Sequence, residues 1–176
     1  MKRREFVTAG LLAVPSLMLA QSLSEDNNAQ VVPAGADRLG EVHSLGFSRM
    51  CFKVPSAQTA GGMFLMEHDN LTKGGPYRHF HPAQDEYLYA LEGEFRVEIG
   101  TKKLILKPGD SVLMPRNVPH VWAQTSDTPG KLLIAFTPAG RMEEFFRDFG
   151  KTGKLPSDPD VVRTYGLERV GPPLVL

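Results

Sequence analysis

The run RHFHPAQDEYLYALEGEF, residues 78–95, sets His79 and His81 on either side of Phe80 and adds Glu86 five positions further on. Residues two apart on a strand point the same way, so the two imidazoles share a face and Phe80 takes the other. On a straight strand an odd separation would turn Glu86 away from them. Pro82 breaks the strand, however, and Ala83-Gln84-Asp85 supplies a turn. The turn is expected to return Glu86 to the histidines on the neighbouring strand. Two imidazoles and a carboxylate on one side form a donor set for a divalent transition metal. A fourth donor, His120, lies in PGDSVLMPRNVPHVWAQ, residues 108–124, on a short apolar strand after the Pro115 turn. It shares its face with Trp122, and an aromatic beside a ligating histidine would exclude water and line a pocket.

The elements that must position these side chains read as short strands. In GEFRVEIG, Phe95, Val97 and Ile99 alternate with Glu94, Arg96 and Glu98, the pattern of a half-buried strand. Gly100-Thr101 turns this strand into KKLILK, residues 102–107, as a hairpin. Further strands are expected in residues 47–54, 62–68, 111–115, 120–124 and 131–138. Many short strands with closely spaced turns predict a mostly β sandwich or closed barrel. After Pro138 the period changes. Met142, Phe145, Phe146 and Phe149 follow helical spacing, with Gly150 placed to stop the helix. Asp158-Pro159 is expected to cap a second short helix ending at Gly166.

Composition fits one domain with a real core. The chain has 176 residues, 41% hydrophobic and 23% charged, with 17 glycines and 14 prolines favouring turns over long helices. Twenty basic residues balance twenty acidic ones, and no basic patch lies beyond the N-terminus, which argues against nucleic acid as a partner. Cys51 is the only cysteine, so no disulfide forms within the chain, and it reads as a small buried apolar residue. His43 and His68 have no ligand context; His68 is placed at the pocket rim. Tyr87 and Tyr89 are expected outside the barrel.

The first residues read as an export signal. Lys2, Arg3 and Arg4 precede a mildly apolar run from Val7 to Ala20 that is too short to span a bilayer and is interrupted by Pro15. The Arg3-Arg4 pair resembles the twin-arginine signal of bacterial export, which predicts a periplasmic or secreted protein with no stable membrane span once the signal is cleaved near Ser22. The expected organisation is a signal at 1–22, a polar linker at 23–36, a β-barrel at 37–138 and a helical extension at 139–176.

Together these motifs resemble the cupin superfamily. Gly74, His79, His81, Glu86 and Gly93 match the order of its first motif, and Gly109, Pro115 and His120 match its second. Asn117 stands where the second motif has glycine; both residue types tolerate left-handed turns, so the turn is expected to survive. Gln124 replaces the usual asparagine. The resemblance implies a double-stranded β-helix, or jelly-roll barrel, and a site in which His79, His81, Glu86 and His120 hold one divalent metal: Fe, Mn, Ni, Cu or Zn. It also implies a homodimer. The chain looks like the small single-domain cupins of quercetin-dioxygenase type, in which the corresponding glutamate contacts the metal and acts as a base. This implies a catalytic role for Glu86 in a metal-dependent dioxygenase acting on a small aromatic or enol substrate. A substrate pocket is expected among Met114, Trp122, Phe95 and Phe136. The alternatives are a non-redox isomerase or lyase and a small-molecule-binding barrel without turnover.

Overall fold

The computed structural model describes residues 29–176. The export signal expected over 1–22 lies outside them, as does the linker up to residue 28. Among the described residues no helix is long and apolar enough to cross a membrane. Residues 33–37 are tied to the body. Lys53 Nζ donates to the Pro33 and Ala36 carbonyls, both at 2.8 Å, and Gly35 N donates to the Glu67 carboxylate at 2.8 Å.

Among the described residues, eleven strands and two α-helices follow. The strands are β1 (His43–Leu45), β2 (Ser48–Val54), β3 (Phe64–Leu71), β4 (Tyr77–Phe80), β5 (Asp85–Glu92), β6 (Phe95–Ile99), β7 (Lys102–Leu106), β8 (Ser111–Met114), β9 (His120–Gln124) and β10 (Gly130–Thr137). Helices α1 (Met142–Gly150) and α2 (Pro159–Arg163) precede β11 (Glu168–Pro173). One sheet has the order β1-β2-β3-β10-β5-β8 and the other β11-β4-β9-β6-β7. Every strand pair within them is antiparallel. The sheets face each other as a jelly-roll barrel. Their inner residues follow the period-two pattern: Phe95 and Val97 of β6, and Leu132, Ile134 and Phe136 of β10, are buried in one continuous core.

Two expectations need correction. Glu86 does not return on a strand next to β4. The neighbours of β4 are β11 and β9, whereas β5 lies in the other sheet between β10 and β8. The Pro82–Gln84 turn is therefore a crossover that carries the chain from one sheet to the other, and Glu86 faces the histidines across the barrel. The extension at 139–176 is also not helical throughout. After α2, capped by the Asp158 carboxylate accepting from Asp160 N at 2.9 Å, the chain forms β11 and pairs with β4. Prolines 172 and 173 hid this strand; they are tolerated because β11 is an edge.

Helix α1 closes one end of the barrel. It buries Met142, Phe145 and Phe146. Glu143 locks it down by accepting from Ser56 N and Oγ, both at 2.6 Å. At the entry to β4 the backbone is pressed against β9: Gly74 and Gln124 exchange both backbone hydrogen bonds, and a Cβ on Gly75 would lie 2.0 Å from the Trp122 carbonyl oxygen. Gly75→Ala is accordingly expected to destabilise the fold by about 2–3 kcal/mol, measured as a lowered urea midpoint. An unchanged midpoint would show that this approach is not as close as described.

Candidate metal centre

Strands β4 and β9 pair through His79 opposite His120, which sets the two rings side by side with centroids 4.5 Å apart. His81 follows β4 directly. Glu86, second residue of β5, reaches in from the opposite sheet, flanked by Met114 of β8 and Phe136 of β10. Its Oε2 lies 3.1 Å from His120 Nε2, 3.2 Å from His81 Nε2 and 3.6 Å from His79 Nε2. One donor atom from each of the four residues lies within 4.8 Å of all the others. The four side chains are almost wholly withdrawn from solvent.

The other ring nitrogens fix the chemistry. His79 Nδ1 donates to the Tyr77 carbonyl at 2.8 Å, His120 Nδ1 to the Val118 carbonyl at 2.9 Å and His81 Nδ1 to the Gly166 carbonyl at 3.3 Å. A carbonyl can only accept, so each Nδ1 bears the proton and each Nε2 of a neutral ring presents a lone pair. Burial, opposed by Glu86, pushes His79 down to about 4, so its ring is neutral near pH 7. Burial works to raise the Glu86 pKa, but the contacts with His120, His79 and His81 outweigh it and hold the carboxyl well below its usual range. A carboxylate and three imidazole Nε2 atoms thus meet in a buried interior, and each Nε2 is a lone-pair donor when its ring is neutral. The arrangement fits a cation, and its nitrogen and oxygen donors fit a divalent transition metal.

The supports of the cluster are as specific as its donors. Asn117 takes the left-handed backbone with φ of 61°, so the turn survives the loss of glycine, and its N donates to the His81 carbonyl at 2.9 Å. Asp85 accepts from Arg116 N and Nη2, each at 2.8 Å, and from Nε at 3.1 Å, tying the start of β5 to the β8–β9 turn. Sequence reasoning had no access to the Gly166 contact, which comes from the C-terminal segment.

The cluster borders a narrow, largely apolar cavity that His79 and Glu86 help to line. Of the four residues expected around a pocket, Trp122 and Phe136 lie on its wall. Met114 and Phe95 are fully buried but not part of it: Met114 is opposite Glu86 on β8, and Phe95 sits beyond Trp122, beside Gln124. Strand parity marks the barrel interior and cannot tell its two ends apart. The C-terminal segment supplies much of the wall, including Phe146 and Leu167; the aromatic stripe of α1 was the signal for this. His68 is not at a rim. It is 2% exposed, within the wall, with Ser48 Oγ 2.9 Å from Nδ1. His43 stacks on Phe52 and bonds Glu41, and Cys51 is buried against the Gly35 carbonyl. Tyr87 and Tyr89 alternate with the inward residues of β5 and are half-buried.

Residues 69–136 match the family profile described as a cupin domain. The chain is similar to the tetracenomycin polyketide synthase protein TcmJ of Streptomyces glaucescens, at 25% identity over 68% of this chain and 80% of that protein. Among solved structures it is similar to an RmlC-like cupin from Shewanella frigidimarina, with 27% identity, a TM-score of 0.47 and coverage of 56% and 84% of the two chains. It is also similar to the nucleoside dehydratase Pac13 of Streptomyces, with a TM-score of 0.50 and coverage of 75% and 85%. At 9% identity the second likeness is one of fold alone.

Full burial pushes His68 down to about 4, against a weaker upward pull from Glu86. Its unfolded value is near 6.5, so unfolding takes up a proton at mildly acid pH. The stability contributed by keeping this ring neutral is complete above about pH 6.5 and is lost as pH falls towards 4, to a total of about 3 kcal/mol. Urea unfolding between pH 7 and 4 should therefore show a flatter stability profile in His68→Phe than in the parent. Equal slopes would contradict a buried neutral His68.

Proposed function

We propose that this cupin-domain protein is a metal-dependent enzyme, a dioxygenase-type oxidoreductase acting on a small aromatic or enol compound. The observation that carries the reading is the convergence of Glu86 Oε2 and three histidine Nε2 atoms beside a largely apolar, aromatic-lined cavity, which His79 and Glu86 help to line. A bound divalent metal would supply Lewis acidity and, if redox-active, dioxygen chemistry. The remaining work falls to the chain. His79, His81, His120 and Glu86 hold the ion, with their rings aimed by the three backbone carbonyls. Trp122, Phe136 and Phe146 exclude water and accept a flat apolar body. Glu86 is the anionic group on the cavity wall and would take the proton of an acidic hydroxyl. The likeness to TcmJ, a polyketide synthase protein, supports an aromatic or enolic substrate.

Export through a twin-arginine signal completes the proposal. A chain folded before export would bind its metal in the cytoplasm, away from the strongest competing ions outside. Replacing Arg3 and Arg4 by lysine should abolish export in a fractionation assay, and unchanged export would refute this part.

Elemental analysis of the native protein should find about one iron, copper, manganese or nickel per chain. Glu86→Ala combined with His120→Ala should lose it. The metal-loaded parent should then consume dioxygen in a screen of phenols and enols, and the variant should not. Zinc in place of a redox metal would shift the reading to isomerase or lyase chemistry on the same ligands. Absence of metal from both proteins would leave a binding barrel.

A further inference from the structure

Two residues of the cavity wall each carry a buried polar atom without a partner. His68 Nε2 and Tyr77 Oη are shielded from solvent, and neither has a hydrogen-bonding neighbour. The residues are 2% and 5% exposed, and both line the cavity that borders the metal-ligand cluster. The other unpaired buried side-chain atoms among the described residues belong to His43, Gln84 and Gln124, none of which lines this cavity. A buried donor or acceptor without a partner is costly. Two of them on one largely apolar wall mark a place where the partners arrive with a ligand.

Their chemistry narrows that ligand. Ser48 Oγ sits 2.9 Å from His68 Nδ1. A serine hydroxyl both donates and accepts, so its rotation lets the imidazole carry its proton on either nitrogen while remaining neutral. With Ser48 donating, His68 carries its proton on Nε2; with Ser48 accepting, Nε2 keeps a lone pair. The Tyr77 hydroxyl has the same dual capacity. No lysine or arginine lines the cavity, and its other walls are mostly aromatic or aliphatic, Trp122, Phe47 and Phe146 among them.

We infer that His68 and Tyr77 are the polar anchors of the ligand cavity, and that it takes flat ring compounds bearing a neutral hydroxyl or carbonyl in preference to hydrocarbons of the same shape. The inference deepens the enzyme reading by naming the recognised group, and it rests on that reading only in treating the ligand as a substrate.

Trp122 is the sole tryptophan of the chain and lies on the cavity wall, so its fluorescence reports occupancy. The full-length protein is titrated with 4-methylphenol and with p-xylene, which lacks the hydroxyl. The parent should bind the phenol roughly tenfold more tightly, and His68→Phe and Tyr77→Phe should each remove most of that preference while leaving p-xylene binding and metal content unchanged. Tyr77→Phe deletes one unpaired atom, so its thermal midpoint should equal or exceed that of the parent. A parent that binds neither probe, or prefers neither, overturns the inference. So does a preference that survives both substitutions, or a Tyr77→Phe protein that melts earlier. Removal of metal from the parent by a chelator separates the two readings: the stripped protein, with every cavity side chain intact, should keep the phenol preference. If the parent holds no metal but discriminates the probes, only the metal-enzyme reading fails.

Discussion

Three imidazole Nδ1–H groups are committed to backbone carbonyls, those of Tyr77, Val118 and Gly166. Everything at the centre depends on this constraint. It spends the one proton each neutral ring carries and leaves three Nε2 lone pairs turned towards the Glu86 carboxylate. In water such a group of acceptors would be satisfied at once. Here the side chains are buried, and the neighbouring walls of the cavity are mostly apolar. The donor set therefore fits a cation.

The barrel makes this arrangement with both sheets. Direct pairing of β4 with β9 sets His79 beside His120, and the crossover after Pro82 delivers Glu86 from the facing sheet. The C-terminal segment is part of the same construction. It carries the Gly166 carbonyl that orients His81, the α1 aromatics that narrow the cavity, and β11, which covers the edge of β4. Cutting the chain after β10 would leave every metal-ligand candidate in place and remove one of the three carbonyls that aim them.

The donor residues were legible in the sequence because their spacing is local: His-x-His is two positions on one strand, and the turn beginning at Pro82 announces a change of direction. Most strands were legible for the same reason, since alternation is a property of neighbouring residues. What escaped depends on contacts between distant segments. Sheet membership of β5 is decided by β10 and β8, far along the chain. The strand ERVGPP carries a composition that argues against a strand unless its edge position is known. Phe95 and Met114 obey the same inward parity as Phe136, and only the packing along the barrel separates core from cavity wall. His68 looked ordinary because its one partner, Ser48, lies 20 residues away on an adjacent strand.

Nitrogen-15 NMR of the metal-free protein resolves which ring nitrogen of each histidine is protonated. His79, His81 and His120 should each carry a proton on Nδ1, held by the backbone carbonyls, and all three Nε2 signals should shift together as one equivalent of zinc is added. An unprotonated Nδ1 on any of the three, or Nε2 signals that ignore the metal, would contradict this arrangement.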